Sequence, residues 1–399
     1  MPNRINKKPK IIADFNDVSY SGYGVGTTSS GETVYAWNAF PGELAEVELF
    51  SQQQPFKGTA VRTKIRSSHR IEPREKHFLI SAPWQVIDYD YELELKQKMF
   101  SKIWQEQAGR KLDIDFFIAD PDKAWHYRNS MEFNVVKISN GWQLALMKRG
   151  RQEYVPIEKS ELVYPVINQI AHETIEVLNQ KNFKTKDIKQ IIVRANRQGE
   201  TMAGVYNFND DLIYSLGREY LEEKIGSLKF RFGLKDFWQP NIEVFAQALA
   251  EIIQHSQSEM IVDMYAGVGV IGLSLAEPTV KVWLVEQSPT ATQMIRENIK
   301  LNNIKSAQAI NSPTEQALGH IARDKIIIFD PPRTGLDNET IRRILEVKPS
   351  KIIYLSCKPY TQCLDIKNLL DDYKISHTSL YNFFPRTPHL ESLIVLEKL

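Results

Sequence analysis

The chain predicts an α/β protein in three parts. A small OB-like β-barrel occupies residues 1–66, a central mixed α/β domain 67–235, and a Rossmann-like domain with an antiparallel last strand 236–399. Three observations carry this. Short alternating strands with Gly-rich turns fill the N-terminal stretch, a glycine loop follows an apolar strand at 263–273, and the last two apolar strands are joined by a Pro-containing connection too short for a crossover.

In chain order, SYSGYGVG, TVYAW, PGELAEVEL and TAVRTKI alternate apolar and polar residues between Gly and Pro punctuation, as a small barrel requires. Residues 91–108 place Leu93, Leu95, Met99, Ile103 and Trp104 at helical spacing. Between 112 and 235, the strand-like runs MEFNVVKI, WQLALMK and IIVRAN flank a helix near 164–180. From about 236 strands and helices alternate, with strands expected at MIVDMY, VKVWLVE, KIIIFD, KIIYLSC, ISHTSLYNF and SLIVLEKL. Four apolar strands separated by helices imply a parallel sheet buried on both faces. Closed by an antiparallel hairpin, such a sheet has the class I methyltransferase arrangement.

At 399 residues the chain exceeds one ordinary core. Its net charge of +1 gives no global basic field, so any nucleic-acid contact must come from a local patch. Residues 57–76 offer one, with Lys57, Arg62, Lys64, Arg66, Arg70, Arg74 and Lys76 against Glu72 and Glu75, although a solvated strand face reads the same way. The two cysteines, Cys357 and Cys363, can build neither a disulfide framework nor a zinc site without histidine help, and no metal is expected. A reduced, cytoplasmic setting fits. The basic N-terminus MPNRINKKPK leads into no apolar signal region, and no uncharged apolar run is long enough to predict a membrane span.

The segment DMYAGVGVIGL spells G-x-G-x-x-G with Gly267, Gly269 and Gly272, and Glu286 ends the next strand. Glycines let the backbone approach a ligand, and a carboxylate at that strand end can hold ribose hydroxyls. NAD would be served equally well by this much. Asp263, closing the strand before the loop, favours instead the cationic amino acid end of S-adenosylmethionine. In KIIIFDPPRTGLD, Asp330 ends a strand before two prolines that make a rigid exposed turn. Arg333 follows where enzymes methylating exocyclic amines carry an aromatic, which weakens an adenine or guanine reading.

The strand KIIYLSCKP delivers Cys357 to the sheet edge where open α/β folds bind ligands. Buried cysteines are mostly inert, but this position is not the usual buried one, and Lys358 beside it would favour thiolate. A thiolate has a use here. Uracil C5 is a weak nucleophile until a thiolate adds at C6, and a base must then take the C5 proton. Glu391, at the start of an antiparallel last strand, lies at the same sheet edge and can be that base, although a plain surface carboxylate is the commoner fate. His389 could be a turn residue or an orienting donor, and Cys363 reads as a bystander.

Together DFWQPN (236–241), DMYAGVG (263–269), DPPRTGLD (330–337), SCKP (356–359) and FPRTPHLE (384–391) resemble, in order, the motifs of the tRNA/rRNA uracil-5-methyltransferase family. The resemblance implies Cys357 as nucleophile, Glu391 as proton acceptor, and S-adenosylmethionine contacts from Gln239, Tyr265, Glu286 and Asp330. Residues 11–66 resemble the TRAM module, an OB-like RNA-binding barrel, including its Pro41-Gly42-Glu43 turn, and WHYRNSMEF (125–133) resembles the family's central strand near the RNA. Many TRAM-bearing members hold an iron–sulfur cluster on four cysteines. The matching stretch PREKHFLISAPWQ (73–85) has none, nor has the counterpart near Ser160 and Glu161, so no cluster is expected. Val270 stands where many relatives carry a polar cofactor contact. The resemblance favours a large-subunit ribosomal RNA uridine as substrate, with a tRNA T-loop uridine as runner-up. A monomer is expected. The rival classes are an RNA-binding factor without catalysis and an NAD oxidoreductase.

Overall fold

The computed structural model describes residues 9–51, 53–139, 141–149, 153–181, 183–184 and 187–399. Residues 1–8 of the expected barrel segment, including most of its basic N-terminus, lie outside the described residues. The chain divides into two compact units. One holds Met1–Lys102, Leu146–Ser160 and Phe384–His389, the other Ile103–Ala145, Glu161–Phe383 and Leu390–Leu399.

The first unit contains the barrel: β1 (Lys10–Val18), β2 (Gly24–Thr27), β3 (Thr33–Trp37), β4 (Glu43–Ser51) and β5 (Phe56–Ile65). The strands close in the order β1-β2-β3-β5-β4, antiparallel except for the β3–β5 pair. Alternation is the cause, since Phe15, Val34, Ala36, Val47, Leu49 and Ala60 face one core while their neighbours face outward. Gly42 has φ +84°, a turn that seats the buried Glu43. Arg70 grips that carboxylate, with Nη2 donating to Oε2 at 2.9 Å and to the Asn38 carbonyl at 2.7 Å. Of the seven basic residues in 57–76, Arg70 is therefore turned inward, and Arg66 is bonded to Glu72.

A short helix α1 (Phe78–Ser81) and a long α2 (Tyr89–Ala108) follow. On α2, Lys96 and Glu92 are fully buried and paired at 2.8 Å. Glu92 accepts the Arg386 backbone N–H, and Lys96 donates to the Phe384 carbonyl, which anchors the segment 384–389. In the stretch lacking cysteines, Glu75 is buried among Ser81, Gln85 and His77 and accepts from the Ser81 hydroxyl at 2.9 Å. Among the described residues no cluster of three or more His, Cys, Asp or Glu side chains could hold a metal. No helix among them is long and apolar enough to cross a membrane.

The remaining elements before the catalytic sheet are β6 (Phe116–Ile118), β7 (Ser130–Ile138), β8 (Gly141–Met147), β9 (Tyr154–Pro156), α3 (Pro165–Gln180), β10 (Gln190–Ala195), β11 (Thr201–Tyr206), β12 (Leu212–Gly217) and the hairpin β13 (Leu221–Ile225)–β14 (Leu228–Phe232). In the second unit β12, β11, β10, β7 and β8 lie side by side, all antiparallel, with α3 on β10 and β11.

Next come α4 (Ile242–His255), β15 (Met260–Met264), α5 (Val270–Ser274), β16 (Lys281–Glu286), α6 (Pro289–Leu301), β17 (Ala307–Asn311), β18 (Ile326–Phe329), α7 (Asn338–Val347), β19 (Lys351–Ser356), α8 (Pro359–Lys367), β20 (Tyr373–Tyr381) and β21 (Glu391–Lys398). Side chains of the second unit cap these helices: Asn241 accepts from Val244 N–H before α4, and Asp337 from Thr340 N–H before α7. The sheet order is β17-β16-β15-β18-β19-β21-β20-β6, with β21 antiparallel to both neighbours. The sequence expects four parallel strands before the hairpin, and the structure has five. The extra edge strand β17 (AQAIN) is only partly buried and carries no apolar run to announce it. An eighth strand, β6, joins β20 in parallel from far upstream, and its three residues are too few for a periodic signal.

Candidate active site

The cleft at the C-terminal edge of β15 and β18 is lined by Phe237, Gln239, Asp263, Tyr265, Gly267 and Asp330, among others. Gly267 and Gly269 have φ +56° and +91°, which L side chains resist. A Cβ on Gly272 would meet Asp263 Oδ2 at 2.8 Å, so that position admits only hydrogen. Tyr265 itself is left-handed at φ +64°, a strained conformation held by the surrounding loop. Glu286 braces the loop: Oε2 accepts Gly267 N–H at 2.9 Å and Oε1 accepts Ser288 N–H at 2.7 Å. Gly269 packs against Leu284, Leu273 and Ile295. The predicted cofactor residues thus fall into two groups, with Gln239, Asp263, Tyr265, Gly267 and Asp330 on the cleft and Gly269 and Glu286 supporting its floor.

Asp263 is buried. Its Oδ2 accepts Gly272 N–H at 2.8 Å, while Oδ1 has no partner. Burial pushes its pKa up to about 8 against the lowering effect of that N–H, and Asp330 and Glu286 push in the same direction as burial. Such an orphaned carboxylate oxygen calls for a donor, and an ammonium group is the fitting one. Burial likewise lifts the Tyr265 phenol to about 12. Val270 opens α5 on the cleft, and its side chain offers no polar atom there. Gln239 is held through its carbonyl, which accepts from Asn129 Nδ2 at 2.6 Å. Phe237, 63% exposed on the cleft, was not singled out by the sequence reading, although it sits inside DFWQPN.

The last register pair of β19 and β21 is Ser356 with Ser392, so Cys357 and Glu391 are the next residues out, on opposite strands. Gln362 on α8 staples the two strands. Its Nε2 donates to the carbonyls of Tyr354 (2.8 Å) and Ser392 (3.1 Å), and its Oε1 accepts from the Ser392 hydroxyl at 2.6 Å. Glu391 is buried, and burial together with Asp330 raises its pKa well above the ordinary carboxylate range. Burial also raises Asp330. Cys357 is half-buried, and burial, then Glu391, then Asp330 lift its thiol to about 12.

A cation that lowers the Cys357 pKa is Arg333, on the turn after Asp330. Lys358 leaves the strand and becomes the residue before α8. The Arg333 turn is fastened to α8. Asp365 Oδ2 accepts Leu336 N–H at 2.9 Å and the Tyr354 hydroxyl at 2.7 Å, and the Thr361 hydroxyl donates to the Arg333 carbonyl at 3.3 Å. Cys363 is fully buried on α8.

Sheet order, glycine loop and paired carboxylates make this a class I methyltransferase fold. Residues 316–399 match the family described as tRNA (uracil-5-)-methyltransferase, and residues 238–348 match the TRM5/TYW2 methyltransferase domain. The chain is 25% identical to an uncharacterized RNA methyltransferase of Enterococcus faecalis, over 99% of this chain and 98% of that one. It is 27% identical to another from Nanoarchaeum equitans, over 94% and 91%. Along nearly its whole length the chain is thus similar to RNA methyltransferases, and over residues 316–399 to the uracil-5-methyltransferase family. In fold it is similar to the Pyrococcus abyssi tRNA (uracil-54, C5)-methyltransferase solved with S-adenosyl-L-homocysteine, with TM-score 0.76, 21% identity, and 97% and 99% of the two chains covered.

Proposed function

We propose that the protein forms 5-methyluridine in RNA, with the methyl group drawn from S-adenosylmethionine. The observation that carries this reading is Cys357 and Glu391 standing one residue beyond the Ser356–Ser392 pair, at the sheet edge where the Asp263–Asp330 cleft opens.

S-adenosylmethionine supplies an electrophilic methyl group on a sulfonium sulfur. Asp263 Oδ1, lacking a partner, suits its ammonium. Gln239, Tyr265, Gly267 and Asp330 would line its cleft, and Glu286, with Gly269, would hold the loop and face the ribose. Cys357 adds to uracil C6, which turns C5 into an enolate-like carbon able to take the methyl group. Glu391 then removes the C5 proton, the C5–C6 double bond re-forms, and the thiolate leaves. Burial and the neighbouring carboxylates favour the protonated Cys357 thiol in the free protein, so its proton passes to solvent as the S–C6 bond forms. Arg333 is a cation that favours the thiolate.

The barrel (1–66) serves RNA binding, residues 67–235 face the RNA, and 236–399 carry the chemistry. The favoured substrate is a large-subunit ribosomal RNA uridine. A T-loop uridine is the second reading, and the chain-long fold likeness to a tRNA (uracil-54, C5)-methyltransferase speaks for it. Mapping 5-methyluridine in ribosomal and transfer RNA from a deletion strain separates the two. Radiolabelled methyl transfer to total RNA by the wild type, with none by Cys357→Ala, is the expected result. Absence of transfer by a folded wild type that binds RNA would favour a non-catalytic factor instead.

A further inference from the structure

The barrel's outer face carries a cleft that this chemistry leaves unused. On β4 and β5, Val47, Leu49 and Ala60 point into the barrel, so Glu48, Phe50, Thr59 and Val61 point out. Glu48 and Thr59 are direct register partners, which gathers the four into one patch. Phe50 is 41% and Val61 48% exposed. The patch forms one wall of a cavity of about 220 Å³, and Leu79, Ile80, Lys148 and Arg149 of the same unit contribute the other.

Arg149 is held in a fixed plane. Its guanidinium lies 4.8 Å over the Trp37 ring, Tyr23 packs on that indole at 4.3 Å, and Nε donates to the Leu79 carbonyl at 3.1 Å. Among the described residues no carboxylate pairs with it, and burial lowers its pKa. Lys148 beside it meets Glu153 at 3.3 Å, both ends exposed, a pairing weak enough to exchange for a better anion. The floor is apolar at Phe50 and Val61, with Glu48 and Thr59 beside them, and the open aromatic ring, the planar cation and the second cation at the rim suit a flat, weakly polar ring joined to a negative charge. Unstacked nucleotides are recognised in this way, by stacking on aromatic side chains and guanidinium planes.

We propose that this cleft binds one unstacked nucleotide of the RNA, its base against Phe50, Val61 and Arg149 and its phosphate at Lys148. The proposal rests on the RNA reading above and is tested apart from it. Full-length protein is titrated with a short single-stranded oligoribonucleotide of alternating uridine and 2-aminopurine, whose fluorescence falls when the purine stacks. Wild type should bind and quench. Phe50→Ala and Val61→Ser, both at exposed positions, should weaken binding about fivefold or more and lose most of the quench. Lys148→Gln should reduce the salt dependence by about one phosphate contact. Calorimetric binding of S-adenosylhomocysteine to each variant should match wild type, which excludes misfolding. Variants that bind and quench like wild type would overturn the proposal and leave the apolar wall to a protein contact. So would a wild type that does not bind the oligonucleotide. Methyl transfer to total RNA by the same preparation would then leave the active-site reading standing.

Discussion

Cys357 and Glu391 lie on adjacent antiparallel strands as the first residues past the Ser356–Ser392 register pair, and the carboxylate is one of the charges that raise the thiol's pKa. In the proposed reaction the two would act at different stages, the thiolate adding to C6 first and the carboxylate taking the C5 proton after methylation.

Glu391→Gln should therefore permit thiolate addition and methylation but block release. A methylated protein–RNA adduct that survives denaturing electrophoresis is the expected product, with turnover down ~10²–10⁴-fold. Cys357→Ala/Glu391→Gln should give no adduct. A folded Glu391→Gln protein with normal turnover would refute the assignment.

The thiol of Cys357 should be unreactive at neutral pH. With its pKa lifted to about 12, against ~8.5 for a free cysteine, alkylation by iodoacetamide in a Cys363→Ala background should be at least ~10-fold slower than for a model thiol at pH 7.5 and accelerate as pH rises. Glu391→Gln should move that profile to lower pH and Arg333→Gln to higher pH, by more than Lys358→Gln does. A shift with Lys358→Gln and none with Arg333→Gln would reverse the assignment of the cation.

Asp263 makes the ligand-free protein sensitive to pH. Its folded pKa, near 8, exceeds the unfolded value of ~3.9. The folded state binds the extra proton between these values, so this contribution to stability is whole below about pH 4 and is lost as pH rises through 8. At pH 8, Asp263→Asn should raise the melting temperature by a few degrees, keep the Gly272 contact through its amide oxygen, and bind S-adenosylmethionine more weakly. A lowered melting temperature at pH 8 would contradict the buried-acid account.

Gln362→Leu removes the staple between β19 and β21 and strips bonds from the Tyr354 and Ser392 carbonyls and the Ser392 hydroxyl. Leaving buried groups unpaired costs ~1–3 kcal/mol. Urea denaturation should register that loss, and adduct formation should slow because Cys357 is less firmly set opposite Glu391. Equal stability and equal adduct rate would show that the register needs no staple.

The purified protein should contain no iron. In the stretch where many members of the family it resembles carry cluster cysteines, the buried Glu75 and Gln85 make a hydrogen-bonded group with the half-buried Ser81. Stoichiometric iron by elemental analysis, with visible cluster absorbance, would overturn this.

The sequence by itself determined what depends on neighbours along the chain. Apolar runs buried on both faces announced β15, β16, β18, β19 and β21, glycines announced the loop that needs positive φ, and the short final connection dictated an antiparallel hairpin. It also brought Cys357 and Glu391 to one sheet edge, because strand direction alone settles that. What tertiary structure decided is which side chains meet across separate elements. Arg333 lowers the Cys357 pKa, Gln362 bridges two strands, and Arg70 turns inward to Glu43 out of an otherwise basic run. The strands β6 and β17 needed it too, one too short and the other too polar to carry a period of their own. Backbone preferences and burial periodicity are local and can be read from a string of residues. The partner of a charge or an amide is set by packing between segments far apart in the chain, and no local pattern encodes it.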